Sequence, residues 1–276
     1  MRVAVVGHVE WITFARVERV PAAGAIAHAS ETWVGAGGGG GVASRQLAKL
    51  CGSCDLFTAL GRDDTGERSR QELEDDVVVV YSATRREPTR KAVCLIDERG
   101  ERTITTLGPR LEARGSDRLP WHHLERSDAV YVTAGDDAAI RHARAARVLV
   151  VSTRHLEALE ASGVRADALV GSDRDPAERH EPDGLALYAD LVVLTQGADG
   201  GRFRTADGRA GRYEPVPAPG PIVDTYGSGD SFQAGLTYAL GAGMTVDDAL
   251  GLAARCGAAA LTGRGPAGGQ LTAADL

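Results

Sequence analysis

Positive charge is scarce in this chain. Its 31 Lys and Arg are outnumbered by 38 Asp and Glu, for a net charge of -7. That excludes the bulk basic field that draws a protein to nucleic acid or to an anionic membrane. Any polyphosphate ligand has to be held by local geometry. No apolar run approaches the roughly 20 residues that span a bilayer, and the opening Met-Arg-Val-Ala-Val-Val-Gly reads as a strand rather than a signal peptide. The expected location is therefore cytoplasmic. The C-x-x-C of Cys51 and Cys54 lacks a second close pair of ligands to complete a zinc tetrahedron. Cys51 instead ends an apolar-periodic helix with Gly52 at its C-cap, so reduced structural thiols are expected. Internal repeats are also missing, and the glycine tract at 37–41 is too short for a linker. The first strand leads into Gly7-His8-Val9-Glu10 rather than a G-x-G-x-x-G turn, which argues against a dinucleotide-binding enzyme.

What is present is ordinary globular composition, 43% hydrophobic and 25% charged, in a length that suits one α/β domain over residues 1–276. Short β-branched runs recur at Val3–Val6, Val130–Val132, Val148–Val151, Ala168–Val170 and Leu191–Leu194. Spacings of about 20 residues leave room for crossover helices, the pattern of a doubly wound, mainly parallel sheet. Ligands in such sheets collect at the carboxyl ends of the strands. Two segments, about 11–34 and 90–106, alternate apolar and polar residues instead, the second around a turn at Asp97–Gly100. They read as a small separate β-sheet whose apolar face needs a cover, a ligand or a second subunit. A further hairpin is expected over Arg202–Tyr213, turning at Asp207-Gly208.

The most informative string is Asp224-Thr-Tyr-Gly-Ser-Gly-Asp-Ser-Phe-Gln-Ala-Gly235. Phe232, Leu236, Ala239 and Leu240 follow at helical spacing, so a helix starts near Ser228, directly out of a glycine turn. Free N–H groups of the first turn and the positive end of the helix dipole make that an anion site. Asp230 sits in the first turn. Its carboxylate could take a proton from an attacking alcohol, or simply cap the helix.

The string resembles the C-terminal signature of the PfkB carbohydrate kinases, of the ribokinase-like superfamily. Gly38–Gly41 leading into Leu47–Gly52 is similar to that family's N-terminal signature, and Gly61–Gly66 to the G-x-D-x-x-G that follows it. Thr89–Thr103 resembles the lid strands, and Leu194–Gly200 the nucleotide-side T-x-G-x-x-G. The resemblance implies a ribokinase-like three-layer fold with a small β-sheet lid, and an ATP-dependent phosphotransferase acting on an alcohol group. It implies Asp230 as catalytic base, Gly227, Ser228 and Gly229 as an anion hole, and Thr195, Gly197 and Gly200 lining the ATP side. Asp224 would help bind a monovalent cation such as K+, and Mg2+ would travel with the ATP.

The sequence departs from the family in the residues that grip the acceptor. Ile12 stands where an Asp is usual, which leaves Glu10 as a candidate replacement. Ala43 and Gly40 replace polar residues, which leaves Gly38, Gly39 and Gly40 to offer backbone amides or close approach. The N-x-x-E of the family reads Ser172-Asp173-Arg174-Asp175, with Asp175 as the metal-side carboxylate. Arg154, just past a strand, stands where some members of the family carry an Arg facing the substrate, which would favour an anionic or polyhydroxy acceptor; the alternative is a solvated arginine at a helix start. The expected function is phosphorylation of a sugar or sugar-like hydroxyl, with a nucleoside as the alternative acceptor. A non-catalytic ligand-binding pseudokinase is the alternative of another class. Small-molecule substrates, no nucleic acid, no membrane and a homodimer through the lid complete the expectations.

Overall fold

The computed structural model describes residues 1–178 and 180–276. From the amino end, β1 (Val3–Val6) is followed by β2 (Glu10–Arg16) and β3 (Glu31–Gly37), then by α1 (Gly38–Cys51), β4 (Cys54–Gly61), α2 (Asp64–Asp75) and β5 (Val78–Arg85). The strands β6 (Lys91–Ile96) and β7 (Arg102–Leu107) precede a strand–helix alternation: β8 (Ala129–Val132), α3 (Asp137–Ala143), β9 (Val148–Ser152), α4 (Leu156–Ser162), β10 (Ala166–Ser172), α5 (Pro182–Leu185) and β11 (Ala189–Thr195). The hairpin β12 (Gly201–Thr205) and β13 (Ala210–Tyr213) and the helices α6 (Ser228–Gly241) and α7 (Val246–Ala260) complete the fold.

The large sheet runs β13-β12-β11-β10-β9-β8-β1-β4-β5, parallel from β11 to β5 and antiparallel at the β12–β13 edge. Its alternating side chains fill two cores, so both faces are covered. Val3 and Val5 join the core under α1, α6 and α7, while Ala4 and Val6 join the one under α3, α4 and α5. The chain builds outward from β1 to β5, then returns to β8 on the other side of β1. The strand order thus reverses between β1 and β8, where a crevice opens at the carboxyl ends.

The second sheet, β3-β2-β6-β7, is the expected lid. Its inner face buries Ile12, Phe14, Ala92, Cys94 and Ile96 against Val42 and Tyr226. Two buried polar anchors hold it to the core. At the end of β3, Ala36 N–H donates to Glu72 at 3.1 Å, while Arg45, only 1% exposed, bonds to Ala36 O and pairs with Glu72 and Asp76. Before β6, the Thr89 N–H and hydroxyl both donate to Asp63, the N-cap of α2, at 2.9 and 2.7 Å. Asp63 of the G-x-D-x-x-G motif in this way ties the lid to α2. The Cys51–Cys54 expectation fits: all four cysteines are free, and Gly52 is a left-handed C-cap. Among the described residues no helix is long and apolar enough to cross a membrane.

Candidate active site

Gly7, which ends the turn out of β1, and Thr133, which follows β8, meet at the switch point. A Cβ on Gly7 would come within 2.7 Å of Thr133 and 2.6 Å of the Gly40 Cα. The start of α1 therefore lies directly on the sheet edge. Gly40 N–H donates to His8 O at 3.0 Å and Gly39 N–H to His8 Nε2 at 3.4 Å. Gly38, at φ +79°, donates to the Tyr226 hydroxyl at 2.8 Å. The amides of Gly38, Gly39 and Gly40 are thus engaged by the protein itself. What these glycines leave open is space, for a Cβ on Gly39 would stand 3.1 Å from Asp230 Oδ1 and 2.7 Å from Thr133 Oγ1.

Asp230 reaches that space from the first turn of α6. The helix opens from Gly227 in the left-handed region at φ +77°, a conformation other residues adopt at a cost. The N–H groups of Gly227, Ser228 and Gly229 have no acceptor among the described residues, and nothing stands within 4 Å of a Cβ placed on Gly229. Burial pushes the Asp230 carboxyl above its ordinary range, with Arg102 and then Arg154 opposing the rise. A half-buried carboxylate of raised basicity, beside free amides at a helix N-terminus, can accept a proton while an anion is held next to it. Asp224, expected near a monovalent cation, is fully buried with both oxygens engaged: Tyr226 N–H donates to one at 2.8 Å and Gly265 N–H to the other at 2.9 Å. It staples the loop before α6 to the loop after α7.

On the acceptor side Glu10, 7% exposed, pairs with Arg90 at 3.2 Å and lies 3.7 Å from His8. Burial raises its carboxyl against the opposing pull of Arg90 and Arg110. Burial lowers His8 to about 3, helped by Arg110, His155, Arg90 and Arg154, so the imidazole is neutral. His155 is likewise lowered by burial to about 4, and its Nε2 has no hydrogen-bond partner. Arg154 pairs with Asp175 and with Glu178, a residue only 6% exposed whose carboxyl burial raises. Sequence reasoning missed Thr133, Glu178, Arg90 and Arg110. For Glu178 there was a signal, since Asp175-Pro-Ala-Glu178 repeats the acid spacing of N-x-x-E one turn later.

The nucleotide-side residues lie along the same sheet edge. Ser172 and Thr195 are register partners at the ends of β10 and β11, which puts Asp175 and Thr195 on adjacent loops. Gly200, at φ +74°, is required by its turn, because a Cβ there would meet Tyr213 O at 2.1 Å. Gly197 lies under the Arg174 guanidinium, itself paired with Asp199 at 2.9 Å.

The family model of the pfkB family carbohydrate kinases matches residues 1–273. An ATP-dependent ribose-1-phosphate kinase of Halopiger xanaduensis is 30% identical, over 94% of this chain and 91% of its own. An aminoimidazole riboside kinase of Salmonella typhimurium is 27% identical over 79% of each chain. The ribokinase of Thermotoga maritima, at 17% identity, shares the fold with a TM-score of 0.76 over 100% of this chain and 97% of its own. The chain belongs to the pfkB family of carbohydrate kinases, and it is an ATP-dependent phosphotransferase acting on a hydroxyl of a sugar or sugar-like small molecule.

Proposed function

We propose that the acceptor is a phosphorylated sugar, whose free hydroxyl is delivered to Asp230 while its phosphate is held by Arg90, Arg110 and Arg154. The observation that carries this reading is the convergence of three guanidiniums from three separate loops on the acceptor end. All three help to hold the partly exposed His8 below its ordinary range. Each is pre-oriented by a carboxylate, Arg90 by Glu10, Arg110 by Glu112 and Arg154 by Asp175 and Glu178. A guanidinium has five donors, so each keeps N–H groups for a phosphate. A neutral sugar would give such a concentration of cation and acid little to do. The similarity to a ribose-1-phosphate kinase supports the same class. A riboside acceptor is the second reading, favoured by the likeness to an aminoimidazole riboside kinase.

In the reaction, Asp230 takes the proton of the acceptor hydroxyl as its oxygen bonds to the γ-phosphorus and the bond to the β-phosphate oxygen breaks. The amides of Gly227, Ser228 and Gly229 stabilise charge on the transferring group without reorganising. The lid excludes water, which would otherwise intercept the phosphoryl group. Thr195, Gly197 and Gly200 border the nucleotide, with Arg174 moving aside from Gly197. No group of three or more His, Cys, Asp or Glu that could hold a metal ion occurs among the described residues. Asp175 and Glu178 would steady a Mg2+ ion brought in with ATP, and the ion would supply charge neutralisation on the phosphates. Asp224 accepts one amide at each oxygen, and a carboxylate offers about four lone-pair sites, so it keeps capacity for a monovalent cation such as K+. The outer face of the lid, with Val34 and Leu107 exposed, suits a homodimer. Action on small molecules in the cytoplasm, away from nucleic acid and membrane, is consistent with the net charge.

ADP release measured with ribose 1-phosphate, ribose 5-phosphate, ribose and a nucleoside panel tests the proposal. A phosphorylated sugar is expected to exceed free ribose at least 100-fold in kcat/KM, and Arg110→Met to erase that preference. Equal or better turnover of ribose or a nucleoside would reject the phosphate site while leaving the kinase in place.

A further inference from the structure

One residue joins the lid, the start of α1 and the turn into α6 without itself reaching the reaction. Tyr226 occupies the variable position of Asp224-Thr225-Tyr226-Gly227. Its hydroxyl accepts the Gly38 N–H at 2.8 Å, across 188 residues of chain. That amide is the first of α1, whose N-cap is Gly37 and supplies no side-chain acceptor. The first-turn N–H groups of a helix have no partner within the helix, and a buried one left unpaired costs on the order of 1–3 kcal/mol. The phenol does the work of an N-cap from another part of the chain. The fit is close, for a Cβ on Gly37 would stand 2.5 Å from the Tyr226 hydroxyl and 2.6 Å from Ile12. This accounts for a glycine at position 37, which the need for open space around the acceptor does not explain.

The ring of Tyr226 faces the lid. It packs edge-on against Phe14 of β2 at 5.1 Å and 86°, and Phe14 stacks on Trp33 of β3 at 5.3 Å. The backbone beside it is gripped by the lid as well. Thr225 N–H donates to Gly100 O at 3.0 Å, Arg102 donates to Thr225 O at 2.7 Å, and Arg16 donates to Val223 O at 3.2 Å. Behind it, Tyr226 N–H is fixed by Asp224. Directly after it comes Gly227, the first amide of the anion hole. The phenol is itself 6% exposed, and burial keeps it protonated far above its ordinary range. It is therefore a fixed neutral partner at any working pH.

We propose that Tyr226 is a positioning residue that makes the Asp230 anion hole and the Gly38–Gly40 acceptor surface dependent on a seated lid. The lid core holds the ring. The ring places the hydroxyl on α1, and the same residue's backbone sets the entry to α6. A displaced lid would then leave both halves of the site misaligned, so that phosphate transfer to water is suppressed when no acceptor has drawn the lid down. The proposal rests on the reading of Asp230 as the base.

The variant Tyr226→Phe keeps the ring and removes only the acceptor for Gly38. Its kcat is expected to fall about tenfold and the acceptor KM to rise several-fold, with KM for ATP within twofold of the parent. The ratio of ADP released without acceptor to ADP released with it should rise. Hydrogen exchange followed by mass spectrometry supplies a readout independent of turnover: protection should drop in peptides covering 37–42 and 225–231, and nowhere else. Parent-like kinetics with unchanged exchange in those peptides would overturn the proposal, as would a uniform loss of protection with kcat retained per folded molecule. A protein that releases no ADP in any form, yet shows the local exchange change, would overturn the Asp230 reading and retain the coupling.

Discussion

At the scale of single residues, the proposed mechanism uses as its base a carboxylate whose surroundings disfavour ionisation. Burial raises Asp230 above the ordinary Asp value of about 3.9. The base has to be ionised to act, so kcat is expected to rise with pH through that raised value, with an acid limb above that of an exposed Asp. Arg102 is the largest influence holding the carboxyl down. A pH–rate profile of Arg102→Met should therefore show the limb moved further up; an unmoved limb would exclude Asp230 as the titrating group. Stability carries the opposite sign. A folded-state value above the unfolded one means stability falls as pH rises between them, and the penalty is complete above the raised value. Asp230→Asn removes it, so the variant is expected to melt higher at pH 7–8, by on the order of 2 °C. That margin should vanish as the pH is lowered below the ordinary Asp range. The sequence made Asp230 and the glycines visible because each lies in a recognisable string, and Arg154 because it directly follows a β-branched run. Thr133, Arg90 and Arg110 were invisible because only the pairing of β1 with β8 and the seating of the lid on the large sheet bring them to one end of the sheet.

At the scale of elements, the lid is a sheet hung from two buried polar anchors, Ala36 on Glu72 and Arg45, and Thr89 on Asp63. Asp63 serves three donors, the N–H of Gly66 and of Thr89 and the Thr89 hydroxyl. Asp63→Ala is expected to cost about 2 kcal/mol in denaturant unfolding, from the lost cap and the orphaned Thr89 amide. Asp63→Asn, which can still accept, should recover part of it. The alternation in 90–106 and the turn at Asp97–Gly100 were legible because β6 and β7 obey the two-residue period of a one-sided sheet. The five parallel strands read from β-branched runs were legible for the converse reason, being buried on both faces. β4 was not legible because it starts at Cys54, two residues after the helix C-cap Gly52, and carries the polar Asp55 and Thr58 in its run. β5 was missed as an edge strand whose exposure alternates. The anchoring of the lid to Asp63 was beyond sequence reading, because Thr89 is 26 residues away.

At the scale of the whole molecule, the lid's two faces divide its duties. The inner face closes on Val42 and Tyr226, and the outer face carries Val34, Val93, Leu95 and Leu107. If that outer face is a dimer interface, Val93→Glu, in a central strand of the lid, should convert a dimer to a monomer in sedimentation velocity; an unchanged sedimentation coefficient would place the interface elsewhere. The strand order reverses between β1 and β8, and the proposed mechanism requires the acceptor loops, the amides at the start of α6 and the lid to meet at that crevice. The most direct test of that account is to compare turnover and binding in Asp230→Asn. ADP release should fall at least 10³-fold, within reach of a general-base contribution of about 10²–10⁴, while calorimetry shows ATP and acceptor bound within a few-fold of the parent. Retained turnover would contradict the account.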